Sequence, residues 1–340
     1  MSGSRYADAG VDLARAEAAG RRIAQAVGSA RTSLSLGHIG GFGGMVRVPP
    51  GYRQPVLVLS TDGVGTKVLV ARDAGRFDSV GEDLVNHGVN DILVHGARPL
   101  AFLDYVAGAG LSSEQIAGLV EGVARACRAH GMALAGGETA QMPGLYREGD
   151  FDLAGTIVGV VEESEALHGD AIAPGDVLLA FASTGLHTNG YSLARSILFD
   201  RLGLSLDSRL PETGTTVEGA LLAVHRSYAA ALGPVVGRVH GLAHITGGGI
   251  PGNLVRILPE GCLAIVDPSS WTIPPLFPVL QRAGEVSLEE MRAVFNLGVG
   301  MIAVLPPGEV APVESAAAAA GDRTWIAGEI RRGERGVRFA

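Results

Sequence analysis

The stretch Val56-Leu57-Val58-Leu59-Ser60, continuing without a break into Thr61-Asp62-Gly63-Val64-Gly65-Thr66-Lys67, reads as a short apolar strand that ends in a glycine-rich loop. The same device returns twice in the second half. Val177–Ala182 is an apolar run followed by Ser183-Thr184-Gly185-Leu186-His187-Thr188-Asn189-Gly190 and a helical pattern from Tyr191. His240–Ile245 leads into Thr246-Gly247-Gly248-Gly249 and a helix with Pro251 near its first turn. Strand-like runs alternating with helical ones predict an α/β or α+β chain. Strand, glycine loop and helix N-terminus together also suit an anion, because free N–H groups and the helix dipole both point at it.

Outward from the first loop, Ser79-Val80-Gly81-Glu82 reads as a capping box that opens a helix. Its apolar positions Val80, Leu84, Val85, Val89, Ile92 and Leu93 share one broad face. Asp91 falls about 20° from Leu84 at 100° per residue, inside that face. A carboxylate there needs a cation, a metal or several donors, since bare burial of a charge is prohibitive. Ala101–Val106 is a predicted strand carrying Asp104, Ser112 caps a helix ending at Gly131, and Met132–Ala135 runs into Gly136-Gly137-Glu138-Thr139. Asp152–Val161 is a further strand, and charges with Pro174-Gly175 break the pattern around Glu162–Gly175. The chain of 340 residues is long enough for two domains, which we place at 1–165 and 170–340.

Composition narrows the function classes. A net charge of −8 with no basic block disfavours nucleic acid as a partner. The longest apolar stretch near the C-terminus, Ala293–Gly308, is too short for a membrane span and ends in Pro306-Pro307, and the charged N-terminus does not read as a signal peptide. The expected location is cytoplasmic. Cys127 and Cys262 are too far apart for a local metal motif and read as small core residues. The chain holds a single lysine, Lys67, against 26 arginines, which suggests a position needing a compact ammonium.

The Thr61–Lys67 segment lacks the Walker spacing, yet it places a carboxylate, two glycines and a lysine in one loop. Asp62 can hold Mg²⁺ and Lys67 can neutralise a phosphate; an ordinary turn with an aspartate cap fits the same residues equally well. Asp62, Asp91, Asp104 and Glu138 are the inventory a Mg–ATP site needs, although each alone also suits a cap or a surface charge. His187 and Asn189 either donate to a polar substrate or close their turn. His38, His87, His95, His130, His168 and His225 read as structural or surface residues. No GxSxG elbow is present and neither cysteine sits as an activated nucleophile, which disfavours covalent hydrolysis.

Taken in order, these segments resemble the aminoimidazole ribonucleotide synthetase family, the phosphoribosylformylglycinamidine cyclo-ligases of purine biosynthesis. The resemblance rests on Tyr6–Asp12, Gly40-Gly41-Phe42-Gly43, Ser60–Lys67, Val89-Asn90-Asp91, Phe102–Tyr105 and Gly136–Gly144 in the first half. Gly185–Ser192, His244–Gly249 and Phe295–Met301 carry it through the second. It implies an N-terminal ATP-binding domain whose sheet pairs with its twin in a homodimer, and a C-terminal α/β domain that binds substrate. It implies ring closure of formylglycinamidine ribonucleotide to aminoimidazole ribonucleotide, with ATP converted to ADP and phosphate.

Carried over by position, the resemblance assigns Asp62, Asp91 and Glu138 to Mg²⁺. It assigns Gly41, Phe42, Gly43, Asp62, Gly63, Gly65, Thr66 and Lys67 to ATP, His187 and Asn189 to the substrate near its formamide, and Thr246, Gly247, Gly248 and Gly249 to the substrate 5′-phosphate. Lys67, Asp91 and His187 are the implied catalytic residues. Among similar families, selenophosphate synthetases use an early cysteine and the hydrogenase maturation protein ends in one, whereas this chain has neither. Thiamine-monophosphate kinase is the nearest enzymatic rival, and Gly136–Gly144 argues against it. A silent nucleotide-binding scaffold is expected to have lost part of the set Asp62, Lys67, Asp91, Glu138 and His187, all present here.

Overall fold

The computed structural model of the chain describes residues 13–36, 42–210 and 212–340, with side chains from residue 19. Tyr6–Asp12, Gly40 and Gly41 lie outside the described residues. The described chain forms two compact units. One holds the residues up to Val89 together with Pro99–Val160, and the other holds Asn90–Arg98 together with Val161–Ala340. A division by sequence order alone leaves 90–98 in the first half. Leu93 packs instead with Leu179, Phe181 and Leu242, and Asn90 bonds to Arg226 and Tyr228, so this segment belongs with the second unit.

The first unit contains helices α1 (Leu13–Ser29), α2 (Lys67–Ala74), α3 (Phe77–Leu93, its last residues in the other unit) and α4 (Ser113–Ala129). Its sheet has strands β1 (Pro55–Gly63), β2 (Arg98–Gly108), β3 (Ala133–Gln141) and β4 (Phe151–Glu162), in the order β1-β4-β2-β3. β2 and β3 run parallel and α4 makes the crossover between them. Ser112 caps α4 as expected, in a reciprocal capping box with Gln115. The Ser79 box does not form. α3 already opens at Phe77, Ser79 donates to the Arg76 carbonyl at 3.1 Å, and Glu82 is drawn to Arg125 on α4.

Burial alternates along β2. Phe102, Asp104 and Val106 are buried, whereas Leu103 and Tyr105 are more than a third exposed. Phe102 packs beside Gly88 of α3, so Leu103 and Tyr105 face away from α3. Leu57 and Leu59 of β1 are exposed as well, at 49% and 63%. This sheet therefore has one open apolar face in the single chain.

The second unit is built on strands β5 (Val177–Ala182), β6 (Gly241–His244), β7 (Cys262–Val266), β8 (Val299–Leu305), β9 (Thr324–Arg332) and β10 (Gly336–Phe339). They are ordered β6-β8-β5-β9-β7-β10, and every neighbouring pair is antiparallel except β7 and β10. This is the α+β alternative. Ile302 and Val304 of β8 enter one core with Leu178, Ala264 and Ile330, while Met301, Ala303 and Leu305 enter another with Phe181, Tyr228 and Val313. A sheet buried on both faces explains the uninterrupted apolar runs in its central strands. The short helices α5 (Tyr191–Arg195) and α6 (Gly249–Leu254) start directly after the two glycine loops.

Candidate active site

In the first unit β1 extends through Asp62 and Gly63, so Asp62 sits at a strand end. Its Oδ1 accepts the Gly63 N–H at 2.7 Å and its Oδ2 lies 3.0 Å from Nε2 of His87. Half of the Asp62 side chain remains exposed, whereas His87 is buried. Lys67 opens α2 and turns inward. Its Nζ is 2.7 Å from Oδ2 of Asp83, and both side chains are fully buried. Burial pulls the Lys67 ammonium below its usual range while Asp83 pulls it back up. The expectation of Lys67 facing an ATP phosphate thus meets an ammonium enclosed with Asp83. The loop surface is left to Asp62, Gly63, Gly65 and Thr66.

Phe42, Gly43 and Glu138 come together in the wall of a cavity of about 710 Å³, with Thr61, Tyr105 and Thr156. Thr61 and Thr156 join their hydroxyls across β1 and β4 at 2.7 Å. Phe42 stands fully exposed. Asp62, Gly63, Gly65, Thr66 and Lys67 do not line this cavity. Asp104 does, although it is only 7% exposed, and burial pushes its carboxyl up to about 7 against the pull of its own backbone N–H.

The second unit gathers Asp91, His187, Asn189 and the Thr246–Gly249 loop. Asp91 Oδ1 lies 2.9 Å from Nδ1 of His244, a ring-nitrogen partner of the kind its helical position calls for. Nε2 of His244 is 3.0 Å from Nε2 of His225. The His225 ring stacks on His187 with centroids 4.0 Å apart and 22° between planes. All three histidines are buried. Their nearest nitrogens lie within 4.8 Å of one another, yet the near-parallel His187 and His225 rings send their in-plane lone pairs side by side, which does not suit one shared metal ion.

His187 occupies left-handed backbone, φ 61°, which turns its side chain inward, where Nε2 accepts the Thr184 N–H at 3.2 Å. Asn189 lies beside Gly247, its Oδ1 3.3 Å from where a β-carbon would stand. Asn253 ties the glycine loop together, its amide donating to the carbonyls of Thr246, Gly247 and Gly249 at 3.3, 3.2 and 2.8 Å. Gly249 has φ +60°, and a β-carbon there would meet the Arg292 carbonyl at 1.9 Å.

The residues that sequence reasoning passed over are His87, Asp83, Asn90, His225, His244 and Asn253. His87 and His225 were read as structural or surface groups, because a lone histidine in a helical or loop pattern carries no signal of its partner. Asn90 belongs to the motif Val89-Asn90-Asp91, but the resemblance gives it no role. Its role is set by a loop more than a hundred positions away.

Comparison with known proteins agrees across the chain. Residues 44–161 match the AIR synthase related protein N-terminal domain, and residues 173–339 match the corresponding C-terminal domain. A phosphoribosylformylglycinamidine cyclo-ligase of Desulfatibacillum aliphaticivorans is 46% identical over 97% of this chain and 96% of its own length. One from Sorangium cellulosum (strain So ce56) is 47% identical over 96% and 94%. Among solved structures, thiamine-monophosphate kinase from Stenotrophomonas maltophilia K279a superposes with a TM-score of 0.69 at 20% identity, covering 95% of both chains, which shows the shared fold. With both halves matched in order and curated relatives aligned nearly end to end, the chain belongs to the phosphoribosylformylglycinamidine cyclo-ligase family of AIR synthase related proteins.

Proposed function

We infer that this chain is an ATP-dependent cyclo-ligase that closes formylglycinamidine ribonucleotide to 5-aminoimidazole ribonucleotide, releasing ADP and phosphate. The observation that carries the reading is the end-to-end match to cyclo-ligases at 46–47% identity. In this reaction the γ-phosphoryl of ATP passes to the formamide oxygen and makes it a leaving group. The amidine nitrogen then attacks the same carbon, so a C–N bond forms, the C–O bond breaks, phosphate departs with the oxygen and the nitrogen loses a proton. Such chemistry depends chiefly on positioning and charge neutralisation.

In our reading the first unit binds ATP and the second binds the substrate. Phe42 and Gly43 cover the nucleotide in the cavity that Glu138 and Tyr105 line, and Gly41, outside the described residues, belongs to the same ATP-binding segment. Asp62, Gly63, Gly65 and Thr66 approach its phosphates, and Lys67 supports that loop from below through Asp83. His187 and Asn189 orient the formamide end of the substrate, and Thr246–Gly249 cradles its 5′-phosphate with carbonyls drawn onto Asn253. Asp62 and Glu138 present exposed carboxylates in the first unit and Asp91 keeps a partly exposed one in the second, each a hard oxygen ligand of the kind Mg²⁺ takes. When bound, Mg²⁺ neutralises phosphate charge.

The exposed apolar residues Leu57 and Leu59 of β1 support a homodimer that pairs this sheet with its twin. We place the enzyme in the cytoplasm, in keeping with its two free, buried thiols. Among the described residues no helix is long and apolar enough to cross a membrane.

A coupled assay tests the reading, with purified protein, Mg–ATP and formylglycinamidine ribonucleotide, following ADP and the diazotisable aminoimidazole product. Both products should appear in equal amounts. ADP alone would overturn ring closure in favour of a kinase or ATPase, and neither product would remove the enzymatic reading.

A further inference from the structure

Behind His187 the second unit contains a buried side-chain array in which Asn90, His225 and His244 have no part in the reaction scheme above. Asn90 is fixed by its surroundings. Its Oδ1 accepts the Tyr228 N–H at 3.0 Å, which only the amide oxygen can do, so its Nδ2 is the group that donates to the Arg226 carbonyl at 2.8 Å. The same Nδ2 lies 3.2 Å from Nε2 of His225. His225 is held at three further points: Nε2 of His244 at 3.0 Å, the Thr188 hydroxyl at 3.4 Å, and the stacked face of His187. His244 is in turn anchored on Asp91 at 2.9 Å.

The array ends at His187. Its ring is bounded on one side by His225, 4.0 Å away, and at its edge by Gly300, where a β-carbon would stand 2.7 Å from Cε1. The Thr184 N–H sets the direction of Nε2. Rotation of the His187 ring out of this slot requires its stacked neighbour to move, and that neighbour is tied to both Asn90 and His244.

We propose that His225 is a positioning residue: a buried ring, stacked on His187, that fixes the ring plane of His187 for the substrate. The proposal rests on the reading above that His187 meets the substrate. It assigns to His225 no contact with substrate and no proton transfer. Its effect on catalysis passes through geometry, and misplacement of a reacting group by about 1 Å is enough to cost roughly a hundredfold in rate.

Two variants of the full chain separate the parts of this arrangement. His225→Gln keeps an acceptor for the Asn90 amide and loses the ring, whereas His225→Phe keeps a ring and loses the acceptor. The expected result is a kcat reduced at least about tenfold in His225→Gln with KM for ATP within about twofold of wild type, and recovery to within about threefold in His225→Phe. In protein labelled with ¹³Cε1-histidine, the His187 resonance, identified by its loss in His187→Asn, should shift or broaden in His225→Gln and return toward its wild-type position in His225→Phe.

A folded His225→Gln protein with wild-type kcat, or with an unmoved His187 resonance, overturns the proposal. If His225→Gln does not fold, His225→Asn is judged by the same two readouts. Should His187→Asn retain full activity, the role of His187 under the proposed function falls, and the resonance alone then decides what His225 does.

Discussion

Asp104 offers the sharpest physical test of the first unit. It stands on β2 opposite Gly137 of β3, and a β-carbon on Gly137 would lie 2.3 Å from its Oδ1. No cationic partner for it occurs among the described contacts, and Cys127, whose own thiol is pushed up chiefly by burial and further by Asp104, lies nearby. Burial raises the Asp104 carboxyl from 3.8 to about 7. The folded state therefore keeps a proton that the unfolded chain gives up near 4. The stability this contributes is fully present below the unfolded value and is lost as pH rises through about 7.

At about 1.4 kcal/mol per unit, the shift corresponds to roughly 4 kcal/mol between pH 4 and pH 8. Asp104→Asn cannot ionise and nearly preserves the shape, so its stability relative to wild type should climb by about that amount over the same interval. Tryptophan fluorescence does not report on this unit, because Trp271 and Trp325 both lie in the other. Amide hydrogen exchange of β2 and β3, measured from pH 5 to pH 8 and corrected for intrinsic rates, does. Wild-type and Asp104→Asn opening free energies that run parallel across this range would refute the reasoning.

Lys67→Met leaves Asp83 buried without its cation and should destabilise the protein by about 3–5 kcal/mol, whereas Lys67→Met/Asp83→Leu should recover most of that loss in urea unfolding followed by circular dichroism. Gly249→Ala combines a left-handed φ with a β-carbon on the Arg292 carbonyl; we expect at least about 2 kcal/mol of destabilisation by thermal unfolding and a KM for the ribonucleotide raised well above the KM for ATP. For the homodimer proposed above, Leu59→Arg puts a charge on the open sheet face and should halve the mass seen by sedimentation velocity, leaving the circular dichroism unchanged; wild-type protein that sediments as a monomer would refute that proposal.

Much of the architecture is legible in local pattern. Val177–Ala182 is read as a strand at the observed bounds, and Ser112 is read as a cap and forms one, in a local box with Gln115 that satisfies N–H groups at the helix start. Ser79 carries a similar local signal and fails. The chain has already entered helix at Phe77, and Glu82 finds a stronger partner in Arg125 of a neighbouring helix. Asp91 is half legible: its position on an apolar face demands a partner, but the helix alone does not say that the partner is His244.

The sequence by itself determines which residues are chemically equipped for the task, because glycine loops, carboxylates and their order along the chain are local properties, and it determines the family through that order. Tertiary structure decides which of these groups meet. It encloses the lone lysine with Asp83 instead of presenting it at the loop surface, and it joins Asn90, His187, His225 and His244 across as many as 154 positions into one buried array. The reason is that burial and pairing are settled by the packing of distant elements. A charge or an imidazole removed from water must find its partner wherever the fold brings one, and periodicity along the chain does not encode that distance.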